Sequence, residues 1–177
     1  TAELCGELQR HPPFSDMLPA HVQAFAAASR ERRFMAGDAV VRPEDGPVRE
    51  LYFIRSGAIT GRRGLSDVAG GAFQYEAGEL FPVSAVLAQR AVTTSYSATE
   101  NSTLLALPVE DMQKLAQASA VFSDFLSRRI LRFLDMSRAA LQMAYASQAL
   151  AFVSRRLGQA NGSDHRPVVT EITRAAN

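Results

Sequence analysis

The chain has a single cysteine, Cys5, so it can build neither an internal disulfide framework nor a cysteine-based zinc site. Its three histidines, His11, His21 and His165, show no metal-ligand spacing. No apolar run approaches the ~20 residues that a membrane helix needs, and no secretory signal opens the sequence. Lys114 is the only lysine, and the formal net charge is only +1, so the total charge supplies no basic face for a duplex nucleic acid. Catalytic motifs are missing as well: there is no G-x-S-x-G elbow, no H-E-x-x-H helix, no Walker A loop and no G-x-G-x-x-G after a strand. The chain begins on Thr rather than Met and is expected to be a piece of a larger cytoplasmic protein whose other parts carry the output activity.

What is present suits an ordinary core. The 177 residues are 47% apolar, enough for one domain plus an appendage or at most two very small domains. Residues 1–10 read as a short helix stopped by Pro12-Pro13, and Ser15-Asp16 signals the start of a second helix over 18–28. Short strands follow over 32–34, 39–41, 50–55, 58–62, 73–76, 94–98 and 103–107, each bounded by turn formers such as Gly37-Asp38, Gly57 and Gly70-Gly71. Many short strands with glycine turns predict an α+β chain built on an antiparallel β-roll of the double-stranded jelly-roll type. A short helical segment over 78–90, with Pro82 near its start, is the one expected interruption. After Pro108 the spacing turns helical over 109–118 and again over 121–157.

The long C-terminal helix is unusually apolar. Phe122, Leu126, Phe133, Met136, Ala140, Met143, Ser147, Leu150 and Leu157 fall close to a heptad seam, with Arg129 as its charged intruder. One reading folds the helix back onto its own roll. The other, preferred because a small roll cannot cover so much helix, is homodimer contact through Phe122, Leu126, Phe133, Met136, Met143 and Leu150. The expected organisation is a roll with its N-terminal helices over 1–135, an extension of the long helix over 136–160, and a linker over 161–177 towards a downstream domain.

Isolated polar residues carry little. Asp16, Asp38, Glu44 and Asp45 sit beside turn or cap formers, where carboxylates serve as local acceptors. His21 reads as a packing or surface residue, and Cys5 as a small buried residue or inert thiol. The informative stretch is Ala77-Gly78-Glu79-Leu80-Phe81-Pro82-Val83-Ser84-Ala85-Val86-Leu87. A glycine, an acid and a short helix inside a β-roll make an anion pocket plausible, with helix N–H groups for a phosphate and Glu79 for a ribose hydroxyl. The plainer reading is a strand-to-helix corner with Glu79 as a cap.

The order of these elements resembles the cyclic nucleotide-binding domain, the sensor module of the cyclic AMP receptor protein family. Pro13-Phe14 is similar to that family's N-terminal entry, and Gly37-Asp38 before Val40-Val41 to its first β-turn. Leu51-Tyr52-Phe53-Ile54-x-x-Gly57 resembles its most diagnostic strand and turn, and Gly78-Glu79-Leu80 the start of its phosphate-binding cassette. The resemblance runs from about Pro12 to Leu141 and implies a ligand site at Gly78, Glu79, Leu80, Ser84, Ala85, Arg90, Thr93 and Thr94. It also implies a C-terminal helix that dimerises and reports occupancy.

One departure matters. Where ligand-binding members carry an arginine for the cyclic phosphate, aligning on Ala98 places Val92, and Arg90 falls two residues early. Losing a charge-assisted contact worth ~3 kcal/mol weakens binding by ~100-fold or more. Glu79 is therefore expected to face a cavity bounded by the strands 50–55, 73–76 and 94–98 that has no fixed cation. The altered cassette is similar to that of bacterial proteins joining such a domain to CBS and nucleotidyltransferase-like domains. The sequence thus implies a non-catalytic regulatory sensor with weak or absent cyclic nucleotide binding, its ligand a nucleotide, another small anion or none. It calls for no cofactor, no metal, no membrane and no direct nucleic acid contact. The alternatives are a functional cyclic AMP or cyclic GMP receptor, with Arg90 brought in by a bulged loop, and the sensor half of a transcription regulator.

Overall fold

Strand formation follows the turn chemistry closely. The computed structural model describes residues 2–63 and 72–131, which belong to the first of the chain's two units, Thr1–Leu131. Helix α1 (Ala2–Leu8) is followed by a 3-10 turn at Phe14–Asp16 and by α2 (Pro19–Ala28). Pro19 suits the first turn of α2 because its missing N–H would have no partner there. The strands are β1 (Arg30–Phe34), β2 (Ala39–Val41), β3 (Glu50–Ser56), β4 (Ala58–Arg63), β5 (Ala72–Glu76), β6 (Leu80–Phe81), β7 (Thr94–Ala98) and β8 (Ser102–Pro108). Helix α3 (Val83–Leu87) sits between β6 and β7, and α4 (Val109–Ala118) follows β8. A further helix, α5, runs over the described residues 120–131.

The strands form two four-stranded antiparallel sheets, ordered β1-β8-β3-β6 and β2-β7-β4-β5. This is the β-roll read from the sequence. The short helical segment expected over 78–90 is a correction: Leu80 and Phe81 pair with Phe53 and Tyr52 as a strand, and helix remains only over Val83–Leu87. Pro82 does stand at the start of the helix, as its N-cap, and the two residues before it form a strand because β3 offers them an open edge.

Strand β3 lies between β8 and β6, and Leu51, Tyr52, Phe53 and Ile54 are all buried. Its two faces meet different partners. Phe53 meets Phe14 and Phe25 edge-on, with ring centroids 5.4 and 6.4 Å away, so the N-terminal helices cover that side. Tyr52 points into the roll and stacks on Phe81 at 5.5 Å. The turn from β3 into β4 needs Gly57, whose φ is +89° and where a Cβ would stand 2.7 Å from the Asn101 carbonyl oxygen.

Helix α5 starts on Ser119, whose hydroxyl accepts the Phe122 N–H at 3.2 Å as an N-cap. Phe122 and Leu126, the first two members of the expected dimer seam, are 0% and 1% exposed and belong to the core of their own domain. Phe122 meets the Phe25 ring at 6.4 Å. Over this stretch the helix folds back onto the roll, as the plainer reading had it. Phe133, Met136, Met143 and Leu150 lie outside the described residues. Among the described residues, no helix is long and apolar enough to cross a membrane.

Phe53→Ala should cost about 3–5 kcal/mol, because its ring joins the helical layer to the sheet. Leu18→Ala, at a residue 64% exposed, should stay within about 0.5 kcal/mol of wild type. Urea midpoints of the two variants test this, and equal midpoints would place the core elsewhere.

Candidate functional site

The cassette hangs from β3. Gly78 donates its N–H to the Ile54 carbonyl at 2.8 Å, and the Glu79 carbonyl accepts the Ile54 N–H at 3.0 Å. Gly78 has φ +95°, and any Cβ there would overlap the His11 ring, so glycine is required on both counts. The Glu79 carboxylate is committed at both oxygens. One accepts the Glu76 N–H at 2.7 Å across the turn, and the other meets Arg129 of α5 at 3.3 Å. Glu79 does not cap the helix that follows, whose N-cap is Pro82; it closes the turn back onto Glu76 and makes an ion pair with α5 that the sequence did not suggest.

The strands expected to bound a cavity carry aromatic rings that meet one another. Tyr52 of β3, Tyr75 of β5, Tyr96 of β7 and Phe81 of β6 form one cluster with centroid separations of 5.1–5.9 Å. Gly61 makes room for it, since a Cβ there would come within 3.2 Å of the Tyr96 ring. Burial pushes the Tyr96 hydroxyl well above the usual tyrosine range, and the neighbouring Tyr75 adds to the shift. Burial likewise raises Tyr52, helped by the Glu50 carboxylate that accepts its hydroxyl proton at 2.9 Å.

The remaining candidates divide. Arg90 is exposed, and its guanidinium donates to the Ser84 hydroxyl and the Ala91 carbonyl, each at 3.0 Å. Leu80 and Ala85 are 1% and 4% exposed and pack into the core. Thr93 is exposed whereas Thr94 is buried, so the two hydroxyls do not present one donor surface. Val92, at the position of the expected arginine, is 4% exposed and part of the hydrophobic core. The structure thus brings Ser84 and Arg90 together, and Gly78 and Glu79 onto β3. It does not converge all the candidates on one point. Sequence reasoning missed the ring cluster. The available signal was the placing of Tyr52, Tyr75 and Tyr96 at inward positions of three strands.

A groove of about 220 Å³ lies elsewhere, between the Pro12-Pro13 turn with Asp16 and the α5 residues Val121, Asp124, Phe125 and Arg128.

The family model for the cyclic nucleotide-binding domain matches residues 31–119 of the chain. The fold is similar to the catabolite activator protein of Thermus thermophilus, with a TM-score of 0.61 and 22% identity over 77% of this chain and 62% of that one. It is similar to the sensor domain of the transcriptional regulator DNR from Pseudomonas aeruginosa, with a TM-score of 0.61 and 17% identity over 72% and 91%. The regulatory domain of Toxoplasma gondii PKA, solved with cAMP, superposes with a TM-score of 0.64 and 17% identity over 74% of this chain and 49% of that one. The chain therefore spans less than two thirds of the Thermus and Toxoplasma chains. No curated protein matches the sequence.

The buried tyrosines make an alkaline prediction. Tyrosine in the unfolded chain ionises near pH ~10, and both folded values are raised. Above that pH the unfolded state holds fewer protons than the folded one, so stability falls as pH rises. Denaturant midpoints taken between about pH 8 and pH 11 should drop more steeply in wild type than in a Tyr52→Phe/Tyr96→Phe variant. Parallel curves would mean that these hydroxyls titrate freely.

Proposed function

The chain belongs to the cyclic nucleotide-binding domain family, and from that premise we propose a non-catalytic regulatory sensor module whose altered cassette binds cyclic nucleotides weakly or not at all. The ring cluster carries this reading. Tyr52, Tyr75, Phe81 and Tyr96 form one ring cluster on the strands expected to bound the pocket, and a nucleotide bound among those strands would have to part the rings. Displacing a ring pair gives up about 0.5–1.5 kcal/mol beyond its burial, before any ligand contact is made. The compensating charge is missing too, since Val92 is aliphatic and buried where an arginine would be needed. Glu79 is already held by Glu76 and Arg129.

The second reading, a working cyclic AMP or cyclic GMP receptor, is favoured by one observation. Arg90 and Ser84 lie 3.0 Å apart at the start of α3, and the guanidinium is exposed. The likeness to the sensor domain of DNR supports a third, the sensor half of a transcription regulator. The cassette sequence supports joining to CBS and nucleotidyltransferase-like domains beyond the linker at 161–177. We place the output there, and dimer contact on Phe133, Met136, Met143 and Leu150 of the long helix.

Calorimetry against cyclic AMP, cyclic GMP, AMP and ATP should show no micromolar binding by the cyclic nucleotides. Micromolar binding of cyclic AMP that disappears in Arg90→Ala would make Arg90 the phosphate partner and establish the receptor reading. Val92→Arg, which would repair a merely missing charge, should instead destabilise the fold, because it buries a cation without a partner. In sedimentation the chain should run as a dimer at micromolar concentration and as a monomer after Met136→Glu with Met143→Glu. A wild-type monomer would remove the dimer.

A further inference from the structure

Three consecutive residues of β3 hold three different parts of the molecule. Phe53 carries the edge of the His11 ring, with centroids 5.9 Å apart. Ile54 exchanges backbone hydrogen bonds with Gly78 and Glu79 at 2.8 and 3.0 Å. Arg55 grips the end of α1: its Nε reaches both Glu7 carboxylate oxygens at 3.0 Å, and its Nη2 reaches one of them at 2.8 Å. Its Nη1 donates to Glu31 at 2.9 Å, so a second carboxylate fixes the guanidinium. The segment between Glu7 and His11 is short and tight, with the His11 N–H bonded to the Leu8 carbonyl at 2.9 Å. Docking of α1 therefore sets where the His11 ring stands.

That ring stands on the cassette. A Cβ at Gly78 would meet the His11 ring, so the ring lies directly against the turn 76–79. On its far side the turn orients Glu79, which takes Arg129 of α5 at 3.3 Å. A continuous chain of contacts thus runs from α1 through His11, Gly78 and Glu79 to α5. Its first member is held by a small apolar face, with Leu8 buried and Leu4 and Cys5 half-buried against the core, and the Glu7 and Arg55 side chains keep 28% and 31% of their surface in solvent.

We propose that the N-terminal segment 2–11 is a latch, clamped by Arg55 and pressed on the cassette by His11, whose undocking releases the hold of Glu79 on α5. The latch gives the module an input that needs no ligand inside the roll. Anything that competes for Glu7, or lifts α1, changes the freedom of the C-terminal helix. The coupling is reciprocal, as any coupling between two sites must be. It does not depend on whether a cyclic nucleotide binds.

Hydrogen exchange on the full 177-residue chain tests it with two variants. Glu7→Gln breaks the charged fork without touching the cassette, and His11→Ala removes the ring while leaving the fork intact. Each should speed exchange at Gly78, at Glu79 and across 120–131 by about fivefold, the lower end of usual site-to-site couplings. The β1–β8 ladder at Arg32 and Leu104 should stay unchanged. Faster exchange in α1 alone would overturn the latch, leaving α1 as a fixed ornament of the sheet. A uniform rise through the β1–β8 ladder would overturn it as well, as mere loss of global stability. No change anywhere would show that the fork holds nothing.

Discussion

Burial of β3 on both faces is the constraint from which the other features of the domain follow. A strand with Leu51, Tyr52, Phe53 and Ile54 all inside needs a layer on each side and a partner on each edge. The helical layer answers through Phe14, Phe25 and Phe122, and the roll interior through Phe81 and Tyr96. Because β6 supplies one edge, the turn before it is drawn onto Ile54 and cannot be a free loop. The cassette is thereby fastened to the most buried strand of the domain.

Charge and aromatic packing divide the site between them. The exposed cation Arg90 stays at the surface on Ser84, while the interior is given to rings and to Val92. Buried rings in contact stabilise the roll whether or not a ligand is present, and they strongly favour neutral tyrosine hydroxyls. A pocket for an anion needs the opposite arrangement, with an interior cation and space beside it. The same inward positions cannot serve both.

Much of this architecture was legible from local rules. Strand positions at β2 and β7 and the helix over 109–118 agree to the residue, because alternation and turn formers act over a few neighbours. Gly37 and Gly57 announced their turns, each with positive φ. Strand β6 was hidden, since two residues have no period and only the open edge of β3 makes them a strand. The fate of Phe122 and Leu126 was hidden for a related reason. A heptad seam states that a face must be covered, and it is silent on whether the cover is a partner helix or the domain's own core.

The sequence by itself determined the class of fold, the place of the cassette and the absence of an arginine at position 92, because each is a statement about residue types in a fixed order. Only the tertiary structure decided which aromatic rings meet. Tyr52, Tyr75, Phe81 and Tyr96 are scattered over four strands, and they become one cluster only when the two sheets close on each other. The contacts of Glu79 with Arg129 and of His11 with Gly78 likewise join residues 50 or more positions apart. Side-chain chemistry is written along the chain, but which groups share a cavity or a contact depends on how distant segments pack, and no local pattern encodes that distance.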